Sequence, residues 1–167
     1  MLIPFWRKFV LVLHITSAVG FMGAVAGFLA LSVAGLTAST GAIATATYLA
    51  MQILAWYVIG PLAVASLVVG IIQSLGTAWG LIRHYWVIVK LALTLLALVV
   101  LMLQMTNIDL LAQAAQEGTL GRYGTQRFSM VLHATGGLVI LIVATVLSIY
   151  KPQGVTPRGA TMMAGLR

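Results

Sequence analysis

The sequence predicts an all-α fold: a transmembrane four-helix bundle with both termini cytoplasmic. Three observations carry this reading. Hydrophobic residues make up 62% of the 167-residue chain and charged residues 7%, whereas a soluble domain carries about 25% charged residues. Four apolar runs each reach the roughly 20 residues that a bilayer crossing needs. The basic residues gather at alternate ends of those runs, the pattern of cytoplasmic loops. At this length the chain reads as one domain over 1–167.

The first run, Phe9–Leu36, follows Arg7 and Lys8 and contains an Ala24-Val25-Ala26 that imitates a leader cleavage site. Its apolar stretch exceeds the roughly 7–15 residues of a leader core, so it is expected to persist as a spanning helix. The small polar break "TASTG" at Thr37–Gly41 precedes the second run, Ile43–Leu75, which Pro61 should kink. After "GTAWGLIRH" (Gly76–His84) comes the third run, Tyr85–Met105. Helical spacing continues from it through "TNIDLLAQAAQEG" to Glu117, with Gly118 as the C-cap. Helices two and three are thus overlong and should pair beyond the outer surface. The fourth run is Phe128–Tyr150, and the Gly/Pro-rich tail 151–167 is expected to be loosely ordered.

Nine Lys/Arg against Asp109 and Glu117 leave a net charge of +7. In a soluble protein that excess would suggest nucleic acid. Here the cations sit at span ends, where topology and lipid head groups account for them, and no nucleic-acid partner is expected. Arg7, Lys8, Arg83, Lys151, Arg158 and Arg167 fall on one side and only Arg122 and Arg127 on the other. That count places both termini in the cytoplasm, the protein being expected in a bacterial inner membrane. The absence of cysteine excludes disulfides, thiolate metal sites and iron–sulfur clusters.

Polarity and side-chain size then sort the helix faces. In the first run Thr16, Gly20, Gly23, Gly27, Ala30 and Ala34 share one stripe, opposite His14. Small stripes let helices approach closely, so this one is read as a packing seam, within the bundle or in a homodimer. Thr45, Tyr48, Gln52, Ala63, Ser66 and Gln73 share a face in the second run, and Lys90, Thr94, Ala97 and Gln104 in the third. His133, Gly137, Ala144 and Ser148 align in the fourth. Such faces should turn away from lipid.

Three ionisable residues fall inside the spans: His14, Lys90 and His133. Burying such groups costs several kcal/mol without a partner, which makes them functional candidates; His84 instead belongs to the interface beside "YW". A proton relay normally adds intramembrane acids, and both acids here lie in the outer loop. A zinc or copper site needs three or four clustered ligands. Haem needs one or two axial ligands and a flat slot. Ala18 after His14 and Gly137 after His133 suit such a slot. Trp56, Tyr57, Trp79 and Trp86 are candidate edges, and Met51, Met102 and Met105 are candidate second ligands. Because helices one and four run in opposite directions, the histidines should differ in height by roughly 10–15 Å in a core of about 30 Å. One iron should not reach both within a protomer.

The stretches "LVLHITSAVGFMGAV", "YWVIVKLALTLLALVVL" and "VLHATGGLVILIVATVLSIYKPQG" resemble a family of small four-helix bacterial membrane proteins with no assigned function. More distantly, the histidine of the first "LH" and the lysine of "VKL" resemble those of the membrane-embedded bacterial protoporphyrinogen oxidase and of the copper-resistance D membrane proteins. The likeness to the oxidase implies b-type haem and porphyrinogen chemistry through His14 and Lys90; it leaves His133 unexplained. Taken together, the expectation is a haem b protein with a redox role, serving electron transfer or the reaction of haem with a small diatomic or a porphyrin. His14 and His133 are the axial ligands, Lys90 is a propionate partner, Gly137 belongs to the slot, and a membrane electron donor is implied. The rival readings are a non-catalytic membrane subunit and a small transporter, with histidines that only tie helices together.

Overall fold

Helix starts and stops are set by short local signals, and they lengthen every span beyond its apolar run. The computed structural model describes residues 3–77 and 80–164, without the side chains of 162–164. Helix α1 (Pro4–Leu36) begins at Pro4 rather than Phe9. Proline suits a first helical turn, where its missing N–H has no partner to lose. Thr40 caps α2 (Gly41–Leu54), its hydroxyl accepting from the Ile43 N–H at 3.4 Å. The expected kink at Pro61 takes a specific form. A single π-helical turn, Ala55–Ile59, joins α2 to α3 (Gly60–Gly76), and the Gly60 N–H donates to the Ala55 carbonyl. The wider turn absorbs the hydrogen bond that proline cannot make.

Helix α4 (Tyr85–Gln116) ends as its sequence foretells. Gly118 adopts φ 70°, the Thr119 N–H donates to the Ala114 carbonyl at 2.8 Å and the Gly118 N–H to Ala115 at 3.4 Å. This is the paired bonding of a glycine-stopped helix. A 3₁₀ turn (Leu120–Tyr123) leads into α5 (Gly124–Tyr150), which stops at Lys151 with φ 44°, just before Pro152.

Helix α1 packs against α2, α3 and α5, and α4 packs against the same three. Helices α1 and α4 are therefore diagonal, with α2–α3 on one side and α5 on the other. Between them lies a core of Phe21, Phe28, Tyr48, Met51, Ile59, Leu111 and Met130. The outer faces are strongly apolar: Leu103 is 69% and Ile149 70% exposed. Four helices are long and apolar enough to cross a membrane, and only lipid accommodates so much exposed hydrocarbon. The protein is a multi-pass membrane protein. An even number of crossings brings the ends of α1 and α5 to one side, the terminal end; the α1–α2 and α4–α5 connections form the far end.

Arg127 fastens the far end. Its guanidinium donates to the Gly35 and Leu36 carbonyls at 2.9 and 3.2 Å and to Tyr48 Oη at 3.1 Å. It caps α1 and takes up the partial negative charge of that helix terminus. At the terminal end, the tail expected to be loosely ordered turns back instead. Thr156 donates its hydroxyl to the Ile82 carbonyl at 2.7 Å and its N–H to the Arg83 carbonyl at 2.9 Å, ahead of the short helix α6 (Pro157–Ala164). His84 and Val155 form an isolated antiparallel β-bridge beside these bonds, a backbone contact with no apolar pattern in the sequence.

The buried face of α1 is Ser17, Phe21, Val25, Phe28 and Ser32. The small-residue stripe lies at its edge: Gly20 meets Leu62, whereas Thr16, Gly23, Gly27, Ala30 and Ala34 stay exposed, Leu54 lying 4.0 Å from where a Cβ on Gly27 would stand.

Candidate functional site

Polar side chains meet inside the bundle at two levels of α4. Near the terminal end, His14 of α1 reaches across the diagonal to Lys90, with Nε2 3.4 Å from Nζ. Room for the imidazole comes from Gly70 of α3. A Cβ at position 70 would lie 2.9 Å from His14 Cε1 and 3.4 Å from Nδ1, inside the roughly 3.5–4.0 Å at which carbon atoms pack best. An ammonium can only donate, so with Lys90 charged Nε2 accepts and the neutral ring keeps its hydrogen on Nδ1. Nδ1 is buried with no hydrogen-bond partner among the described residues, although the Ser66 backbone lies nearby. Helical back-bonds from Ser17 to the His14 carbonyl and from Thr94 to the Lys90 carbonyl hold the two backbones' own polar groups.

The second level lies fourteen residues along the same unbroken helix, from position 90 to 104. There the bonds run in one direction. Asn107 Nδ2 donates to Gln104 Oε1 at 2.9 Å, and Gln104 Nε2 donates to His133 Nε2 at 3.1 Å. His133 Nδ1 lies 2.7 Å from the Ser129 carbonyl, with Ser129 Oγ at 3.0 Å. A carbonyl only accepts, so the hydrogen sits on Nδ1 and the Nε2 lone pair points away from its own helix. This is how a metal-binding imidazole is oriented by a carbonyl behind it. Here a rotatable amide occupies that lone pair.

His133 and Gln104 are the polar members of a cavity of about 260 Å³, closed by Phe21 and Phe28 of α1, Leu101 and Ile108 of α4, and Met130 and Leu141 of α5. Gly137 lies one turn from His133 on the same wall, and a Cβ there would approach Val25 to 3.9 Å. Beside it Gly136 has nothing within 4 Å, and it and Leu132 are exposed. The cavity therefore opens sideways, towards lipid. Ligand cavities run from about 300 to 1,000 Å³; this one is just below that range, with an open side.

The structure thus separates the two histidines. Each is bound to its own residue of α4, about 21 Å apart along the helix at 1.5 Å per residue. The separation exceeds the roughly 10–15 Å expected from the sequence, because each histidine sits close to its own end of a lengthened span. It also removes Lys90 from the surroundings of His133. Of the expected aromatic edges, Trp56 and the 78%-exposed Tyr57 face outwards, Trp86 lies at the terminal end, and Trp79 is outside the described residues. Met51 is packed in the core and Met105 lines another groove. The methionine beside His133 is Met130, three residues earlier on the same face. The sequence placed Gln104 on the polar line of its helix without linking it to His133, and gave Gly70 no role. No group of three or more His, Cys, Asp or Glu side chains suited to a metal ion occurs among the described residues.

Set against known protein families, curated proteins and solved structures, the chain matches none. The likeness to the oxidase therefore rests on the His14 and Lys90 words alone.

Proposed function

We propose that this is a redox protein of a bacterial inner membrane that binds b-type haem in the α1–α4–α5 cavity, with His133 as axial ligand. The observation that carries this reading is that His133, its Nδ1 against the Ser129 carbonyl and its Nε2 against the Gln104 amide, lines an apolar cavity that opens to the bilayer. The donor set suits haem: one imidazole, backed by the Ser129 carbonyl, with Gly136 and Gly137 leaving the adjacent wall flat. The residues that would hold the group are His133 and the small residues Gly136 and Gly137 beside it, with Leu132 at the open side. A bound haem would supply one-electron chemistry or react with a small diatomic. The chain's own part is to displace the Gln104 amide from Nε2, hold the imidazole through Ser129, and keep water out with Phe21, Phe28 and Leu141.

The wedged ring of His14 fits a haem less well. Its edge lies against Gly70 and its Nε2 against Lys90, so this pair is assigned to tying the diagonal helices together. Lys90 as a propionate partner would require a second haem at His14. Cytoplasmic termini are supported by the count of cations: Arg122 and Arg127 at the far end against Arg7, Lys8, Arg83, Lys151 and Arg158 at the terminal end. The exposed part of the α1 stripe is the surface assigned to a homodimer.

The test is direct. Protein expressed with ample haem and purified in detergent should show a Soret band that shifts on reduction with dithionite. Protein without any Soret absorbance under those conditions would refute the proposal.

A further inference from the structure

The haem reading gives no task to the terminal end, where two segments far apart in sequence are joined. Besides the Thr156 bonds to Ile82 and Arg83, the Tyr85 N–H donates to the Gly154 carbonyl at 3.3 Å. The tail passes so close that a Cβ on Gly159 would lie 2.5 Å from the Arg83 carbonyl oxygen. Only glycine lets backbone approach backbone in this way. On the other side Gly80, at φ 62°, makes room for the arginine stem. Its would-be Cβ lies 2.9 Å from Arg83 Cδ and 3.0 Å from Cγ. Arg158, next in sequence to Gly159, is exposed. The folded tail therefore sets Arg158 within one residue of backbone contact with Arg83.

Like charges brought side by side oppose the fold that joins them, and neither acidic side chain of the chain relieves this pair. Asp109 and Glu117 lie at the far end. Asp109 Oδ1 accepts from Gln52 and Trp56 at 2.8 and 2.9 Å, and Glu117 accepts from Gln113 at 2.8 Å. Topology alone asks for cations at span ends; it does not ask for a tail that folds back to join two of them. The level of the patch is set by Tyr85 at the start of α4 and Tyr150 at the end of α5, 52% and 79% exposed. Exposed aromatic rings at span ends stand at the lipid head groups.

We infer that this patch docks an anionic phospholipid, its phosphate held between the Arg83 and Arg158 guanidinium groups. The planar fork of arginine matches phosphate oxygens two at a time, and one anion between two cations replaces their repulsion with attraction. The exposed hydrocarbon of Ile149 and Tyr150 on the preceding turn of α5 decides for a lipid over a soluble phosphate, because a lipid covers both the charge and the apolar surface. A zwitterionic phospholipid brings its own cation to the patch and is the weaker ligand.

Ala160 is exposed and the chain has no cysteine, so Ala160→Cys carries a fluorescent bimane label beside the patch. In phosphatidylcholine nanodiscs, a phosphatidylglycerol bearing a nitroxide near its head group should quench the label more than the matching nitroxide phosphatidylcholine does, and the excess should saturate. Arg158→Gln should weaken phosphatidylglycerol binding about fivefold, the worth of one cation at an anionic surface. Salt at about 1 M, where the screening length falls to about 3 Å, should also reduce the excess. Arg158 is exposed, so its variant should keep the thermal unfolding midpoint of the parent. Equal quenching by the two lipids, or a phosphatidylglycerol affinity unchanged in Arg158→Gln, would overturn the assignment. So would displacement of the nitroxide lipid by soluble glycerol phosphate as readily as by unlabelled phosphatidylglycerol, which would mark a site for soluble phosphate.

Discussion

Gly70→Ala puts one methyl group where the structure leaves no space. The added carbon would stand 2.9 Å from His14 Cε1, so the ring must retreat by about 0.6–1 Å to restore van der Waals contact. That movement lengthens the 3.4 Å contact between His14 and Lys90, already at the limit of a hydrogen bond. Overpacking a filled site costs typically 1–3 kcal/mol. Against this, alanine in place of a mid-helix glycine returns roughly 0.5–1 kcal/mol. The single variant should lose up to about 2.5 kcal/mol. In a His14→Ala background the collision is gone and only the helix gain remains. Gly70→Ala should then be neutral or stabilising by up to ~1 kcal/mol, giving a coupling energy of about 1–3 kcal/mol in the double-mutant cycle. Reversible unfolding in mixed micelles, monitored by circular dichroism, measures all four proteins. An equal loss from Gly70→Ala in both backgrounds would show that His14 does not fill the space over Gly70.

Three further outcomes follow from particular contacts. Arg127→Met removes three charge-assisted bonds to Tyr48, Gly35 and Leu36. At about 1.5–3 kcal/mol each, reduced because water reaches the far end, the loss should be about 2–4 kcal/mol in the same assay. Thr156→Val removes the hydroxyl that holds the tail to Ile82; limited proteolysis should cut the tail sooner while the unfolding midpoint of the spans stays unchanged. The chain lacks cysteine, so Gly23→Cys on the exposed stripe of α1 reports on the homodimer without interference. An oxidant in native membranes should give a covalent dimer on a gel, and exclusively monomeric protein would remove that interface.

The spans were legible in the sequence because a bilayer imposes one demand, about 20 apolar residues, that composition meets four times over. The cap at Gly118 was legible for a similar reason, being a local rule carried by one residue, whereas the break at Thr37–Gly41 did not say that Thr40 would cap α2. Depth gave the separation of His14 from His133, since antiparallel helices with histidines near opposite ends cannot bring them together. Partners were harder to read. Helical spacing puts Gln104 on a polar line but does not say which helix that line faces, and the bond to His133 depends on the diagonal arrangement of α1 and α4. Gly70 looks like any glycine in an apolar run until a ring is seen against it. The π-helical turn is hidden as well, because Pro61 signals a disturbed helix without saying whether it bends or widens. Asp109 reads as a loop acid, and only the packing of Trp56 and Gln52 against it shows that it is held.

The central claim is that His133, and not His14, presents a ligand nitrogen to the cavity. A haem titration followed by absorbance, on wild type, His133→Ala and His14→Ala side by side, tests it most directly. The account predicts saturation at one haem per chain in wild type and in His14→Ala, with the band lost or shifted in His133→Ala. A full, unshifted haem spectrum in His133→Ala would contradict it.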